Sequence, residues 1–400
     1  MDSSQEKTKL IGTFAYDNWR AYLEGKPILS MAEYPLYTDS WLTGEAEKGW
    51  EPYSIFNMVP LQRLYEGKEY VCASLALRVG IHVDFETPDM SKTEASRYHG
   101  GGLVDEIAAL ASLVCGIRLR PGGQSRYFES GGDPLGKPVA WNTEGEPVLH
   151  VRNQGLVLPN ASGQHSLNPL VQLKTFPQLT PQKAIVLIRC ARLYQDALWL
   201  SESEPHLSWL LLVSAVETAA VYWKTSNDSA IDRLKTSYPQ LVEFLEKTGI
   251  PNLCSTIADT FSESLGSTKK FIDFLLNYLP LPPEKRPGVW GQVKWENKEL
   301  KNSFRQIYGY RSKALHNGQP FPAPMCHSPR KLQQDWDAVE ERPYFSASSV
   351  SGGTWVAKDI PMSLHTFEYI ARNALIKWWM DSLTTPPNQQ LKLTVGALLR

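Results

Sequence analysis

Apolar positions recur at helical spacing through the second half of the chain and in short, broken runs through the first. The change falls near residue 180, where Thr180-Pro181 reads as an N-cap followed by proline at the first helical position. Beyond it the spacing predicts helices over 184–200, 207–223, 230–247, 253–265, 269–279 and 298–316, and a last one capped by Ser363 and running to 383. The segment 207–223 is almost wholly apolar, which places it at the centre of a bundle. A loop-rich insertion occupies 320–361, with the Ser/Gly-rich stretch 348–353 as a mobile tip. In the first half, 71–83 has the apolar content of one or two strands and 104–114 that of a short helix ended by Gly116. Residues 117–120 alternate like a strand, and 151–179 show little periodicity and read as a linker. The pattern thus predicts an α+β domain over 1–178, an all-α helical bundle over 180–383, and a disordered tail over 384–400.

The 298–316 segment carries the most chemistry. Leu300, Phe304, Ile307, Tyr308, Ala314 and Leu315 recur at intervals of three, four and seven and fall in one sector of a helix. Arg311 lies near the centre of that sector, where a charge is costly unless it is paired or used. His316 follows five residues later, about 140° further round an ideal helix. Asn317-Gly318 and Pro320 are stop signals, so His316 belongs to the last turn, where unpaired carbonyls favour a cation. In the apolar 207–223 helix Glu217 is the only acid and needs a partner, and Arg311 is the best candidate.

Composition sets bounds. Four hundred residues at 42% hydrophobic and 21% charged describe an ordinary folded protein with room for two domains. A net charge of -1 predicts no general affinity for nucleic acid, but the charge is uneven. Between Lys285 and Lys331 ten Lys and Arg stand against Glu296 and Glu299, a local field suited either to a polyanion or to a solvated helix face. Cys72, Cys115, Cys190, Cys254 and Cys326 show no metal or redox spacing, and no cofactor motif is present. The opening residues are not a signal peptide, and the longest apolar run is too short for a bilayer. These features lead us to expect a cytoplasmic protein without membrane, metal or cofactor.

Arginine, four residues and histidine at the end of a bundle helix resemble the signature of the HEPN superfamily. The run Tyr310-Arg311-Ser312-x-x-x-His316-x-Gly318 is most similar to the Apea-like branch, and the helix from Trp209 to Glu217 resembles that branch's acid-bearing helix. The resemblance covers roughly residues 180 to 383, and departs from many active members in carrying Ser312 after the arginine. It implies a homodimer that brings two motifs into one cleft and a metal-independent endoribonuclease leaving 2′,3′-cyclic phosphate ends. It further implies a bacterial antiviral or toxin-like role. Arg311 would then stabilise the phosphorane and His316 would move the proton or orient the 2′-hydroxyl, with Glu217, Tyr310, Ser312, Lys313 and Asn317 in support. Residues 1–178 would bind a ligand or protein trigger. The same residues also fit a catalytically silent HEPN-like bundle used for dimerisation or partner binding, in which the Glu217–Arg311 pair only fixes register.

Three lesser motifs remain. His99-Gly100-Gly101-Gly102 resembles an esterase oxyanion loop, although the chain has no G-x-S-x-G elbow, and a glycine turn before the 104–114 helix accounts for it as well. Cys326-His327 and His82-x-Asp84 are adjacent potential ligands that fall short of a metal site.

Overall fold

The computed structural model describes residues 9–44, 51–58, 71–129, 134–139, 147–150, 155–223, 229–260, 266–331 and 338–383. The expected tail over 384–400 and the end of the helix expected over 253–265 lie outside the described residues, in the second case from residue 261. The chain forms two compact units, one of residues 1–211 with 376–400 and one of 212–375, and it passes between them within two helices. The sequence places its boundary near residue 179 instead.

The first unit carries a sheet and its covering helices. Helix α1 (Phe14–Leu23) precedes β1 (Ser30–Thr38), β2 (Ser40–Thr43), β3 (Tyr53–Asn57) and β4 (Cys72–Ile81). Helix α2 (Leu103–Cys115), short strands β5 (Arg120–Pro121), β6 (Arg126–Phe128), β7 (Lys137–Pro138) and β8 (Gly163–Ser166), and helix α3 (Pro181–Leu200) follow. Strands run β3-β4-β1-β6-β7, with β5 pairing the far end of β1, and every pairing in this sheet is antiparallel. Alternation puts Leu75, Leu77 and Val79 of β4 and Tyr53 and Ile55 of β3 inside. Helix α2 is buried from Glu106 to Cys115, packs on α1 and α3, and stops where Gly116 takes a left-handed conformation.

Two expectations change in this unit, and one helix is added to them. The 117–120 segment is not an alternating strand: only Arg120 joins β1, and Arg118 is buried with its flanking apolar residues. Helix α1 was not legible because its inward face includes polar residues. Asp17 accepts the amides of Ile11 and Gly12 at 2.8 and 2.9 Å, and the Asn18 amide donates to the Gly80 carbonyl at 2.8 Å. The expected linker is also structured, with β8 pairing β2 in parallel and a 3-10 helix over Asn168–Gln178; residues 151–154 of it lie outside the described residues.

Helix α4 (Pro205–Trp223) leads into the second unit, which continues with α5 (Ala230–Ser237), α6 (Pro239–Lys247), α7 (Leu253–Thr260), α8 (Ser267–Asn277) and α9 (Asn297–Asn317). A hairpin of β9 (Ala347–Val350) and β10 (Gly353–Val356) precedes α10 (Leu364–Asp381). The helix expected over 230–247 is two, because Pro239 supplies no amide hydrogen and pushes Tyr238 out of helical conformation. Phe271 of α8 packs against Tyr308 of α9 and Phe367 of α10. The expected tip at 348–353 is the β9–β10 turn, with positive φ at Ser351 and Gly352. The fold is therefore a sheet-containing N-terminal region followed by a mostly helical C-terminal part. Among the described residues no helix is long and apolar enough to cross a membrane.

Candidate functional site

Helix α9 positions the site. Its inner face is Leu300, Phe304, Ile307 and Tyr308. The last apolar turn of the expected face does not continue inward: Leu315 is exposed and Ala314 only half-buried. Arg311 thus sits where the buried face meets solvent, with 19% of its side chain exposed. Gly318, left-handed at φ 63°, closes the helix by donating its amide to the Lys313 carbonyl. Asn317 is the last helical residue rather than the terminator.

Glu217 of α4 joins this edge. Its Oε2 accepts Nη2 of Arg311 at 2.6 Å and its Oε1 accepts the Tyr308 hydroxyl at 2.6 Å. Tyr308 and Arg311, three residues apart on one face, share the carboxylate, and the guanidinium carbon lies 5.5 Å from the Tyr308 ring centroid. Burial, then the hydrogen bond to Glu217, pushes the Tyr308 hydroxyl well above the usual tyrosine range, so it stays a proton donor to the carboxylate. Sequence reasoning treated Tyr308 as core only; its signal was a hydroxyl one helical turn before the arginine.

Arg311 is only partly used by this arrangement. Its Nε is buried and has no hydrogen-bond partner among the described residues. A guanidinium offers five N–H donors in a planar fork, and Glu217 engages one nitrogen of it. The remaining edge fits a second oxyanion.

The other predicted residues take different positions. His316 is exposed in the last turn of α9, about 7.5 Å further along the axis than Arg311 on ideal helix rise. Tyr310 turns to the insertion: its hydroxyl donates to the Asp359 carbonyl at 2.6 Å, and its ring lies 6.3 Å from Phe321. Lys313 is exposed with its ammonium 5.7 Å from the Tyr310 ring. Ser312 is half-buried and Asn317 exposed. Glu217, Tyr308 and Arg311 are therefore in direct contact, while His316 stands apart from them on the same helix.

The lesser motifs have structural partners. His99 is buried with Nε2 2.8 Å from Glu106, which also accepts the amides of Phe14 and Ala15. Gly102 opens α2, its amide donating to Asp105 at 2.9 Å. His82 Nδ1 lies 2.8 Å from the Lys26 carbonyl, and the buried Cys326 thiol is pushed up by burial. Among the described residues no group of three or more His, Cys, Asp or Glu is arranged to hold a metal ion.

The chain matches no protein-family model, and no curated protein or solved structure matches it.

Proposed function

We propose that the protein is a metal-independent endoribonuclease of the HEPN type, acting as a homodimer. The supporting observation is Arg311: anchored through one nitrogen to Glu217, backed by Tyr308, with 19% of its side chain exposed and its buried Nε without a partner among the described residues. Strand cleavage by this route joins the 2′-oxygen to phosphorus and breaks the bond to the departing 5′-oxygen. The 2′-hydroxyl proton passes to a base, the leaving oxygen receives one from an acid, and the product is a 2′,3′-cyclic phosphate. Attack and departure are on opposite sides of phosphorus, so one histidine cannot serve both at once. Two protomers supply two copies of His316, which answers that need and the angular separation of Arg311 from His316 on one helix. Arg311 then holds the equatorial oxygens of the phosphorane through its fork. The first unit serves as the sensor for a ligand or protein trigger, and the biological setting is antiviral defence or toxin-like growth arrest.

A second reading is favoured by one observation. Both oxygens of Glu217 are engaged within the second unit, an arrangement that by itself fixes the register of α4 on α9. In that reading the bundle is a silent scaffold. Expression in a bacterial host separates the two. Wild type arrests growth with fragmentation of total RNA, and Arg311→Ala relieves both. Intact RNA under wild-type expression would leave the scaffold as the better account.

A further inference from the structure

Exposed apolar rings are ordinarily side chains with no better place to go; here two are held in place. The segment 286–293 and the segment 338–344 are stitched together by the buried Glu341, and the buried Glu340 ties the second segment to Arg330. Glu341 takes Arg286 in a bidentate pair, both bonds 2.6 Å, and accepts the Val293 amide at 2.8 Å. Glu340 accepts the backbone amides of Arg330 and Tyr344 at 3.2 and 3.1 Å. The Gly291 carbonyl accepts the amides of Glu341 and Arg342. On this frame Trp290 and Tyr344 stand edge to face with centroids 5.0 Å apart, and they remain 53% and 55% exposed. A Cβ at residue 288 would come within 3.1 Å of the Trp290 ring, so glycine there lets the indole lie close to its own turn.

The surroundings are cationic. Arg330 pairs through Nε with Glu340 at 3.4 Å and donates from Nη2 to the Tyr344 carbonyl at 3.0 Å, yet leaves 62% of its side chain in solvent. Lys285 and Lys294 flank the first segment and Lys331 follows Arg330, all three exposed, against Glu284 and Glu296 as exposed acids beside them. Arg286 is less exposed, its guanidinium held bidentate by Glu341.

We infer that Trp290 and Tyr344 form a stacking platform for the bases of single-stranded RNA, with Arg330 and Lys331 following its phosphates. Rigid aromatic faces beside cations match a strand that alternates flat bases with charged phosphates, and stacking is tolerant of sequence. A duplex keeps its bases stacked on one another and offers no face to the rings. The inference rests on the RNA reading above and names the surface that would hold the strand in the same unit as Arg311.

The test is fluorescence anisotropy of a labelled 2′-O-methyl RNA oligonucleotide, which cannot undergo 2′-hydroxyl attack, titrated with the full chain. Wild type binds it more tightly than the duplex of the same sequence. Trp290→Ala and Tyr344→Ala each weaken binding on the order of tenfold with unchanged thermal unfolding, and Trp290→Phe, which keeps a ring, restores most of it. Arg330→Ala keeps both rings and lowers the salt dependence by about one phosphate. No binding by wild type, or equal binding by wild type and Trp290→Ala, overturns the platform. The two readings fail separately. Ring-dependent binding without cleavage of ordinary RNA supports the platform and removes the nuclease; His316-dependent cleavage with binding indifferent to Trp290 does the reverse.

Discussion

Two arginines, one in each compact unit, are held by carboxylates in opposite ways. Arg118 in the first unit is fully buried, and all three of its nitrogens are used. Nε donates to the Leu198 carbonyl at 2.8 Å, Nη1 to Asp39 at 2.6 Å, and Nη2 to Ser201 and Glu202. Glu202 also accepts the amides of Val157 and Leu158. Arg311 in the second unit touches one carboxylate through one nitrogen and keeps 19% of its side chain in solvent. A guanidinium whose donors are all spent ties elements together. One with donors left over, anchored but reachable, is available to an external anion. By that difference Arg118 ties elements together and Arg311 is the arginine to which the proposed function is assigned, although both are paired with acids.

The largest expected effect breaks this comparison directly. Arg118→Ala leaves Asp39 and Glu202 buried without their cation and costs about 3–5 kcal/mol of stability, read from urea unfolding. Arg311→Ala costs less, about 1–2 kcal/mol, because its pair is partly hydrated, yet lowers RNA cleavage on the order of 100-fold or more. Equal stability losses for the two variants, or cleavage indifferent to Arg311→Ala, would collapse the distinction.

A smaller effect sharpens it. Burial first, and then nearby Glu202, raise the Asp39 carboxyl above the usual aspartate range against the pull of Arg118, and its Oδ1 has no hydrogen-bond partner among the described residues. The folded state therefore holds a proton on Asp39 at pH values where the unfolded chain has released it. That contribution is complete below the ordinary aspartate pKa and is lost as pH rises through the raised folded value. Asp39→Asn should remove this part of the slope of stability against pH, measured by denaturant unfolding across the acid range. An unchanged slope would mean that Asp39 is ionised throughout.

What was legible in the sequence follows the same division. Helix α9 was visible nearly to its ends because Leu300, Phe304, Ile307 and Tyr308 keep a strict helical period and Asn317-Gly318 closes it. The Glu217–Arg311 pair was legible because each is the lone charge on an apolar helix face. Arg118, Asp39 and Glu202 were not, since their contacts span 79 and 84 residues and leave no local period. The buried Asp17 and Asn18 hid α1 for a related reason: polar side chains satisfied by backbone, the Gly12 amide for Asp17 and the distant Gly80 carbonyl for Asn18, break the pattern from which burial is read. The Trp290–Tyr344 frame was equally invisible, because Glu341, which pins the Trp290 loop, lies 55 and 48 residues from its partners Arg286 and Val293.

The most direct test of the central claim is RNA cleavage by purified protein in excess chelator, wild type beside His316→Ala, with the product ends identified. Wild type is expected to leave 2′,3′-cyclic phosphate ends and the variant none. Equal cleavage by both proteins would contradict the claim.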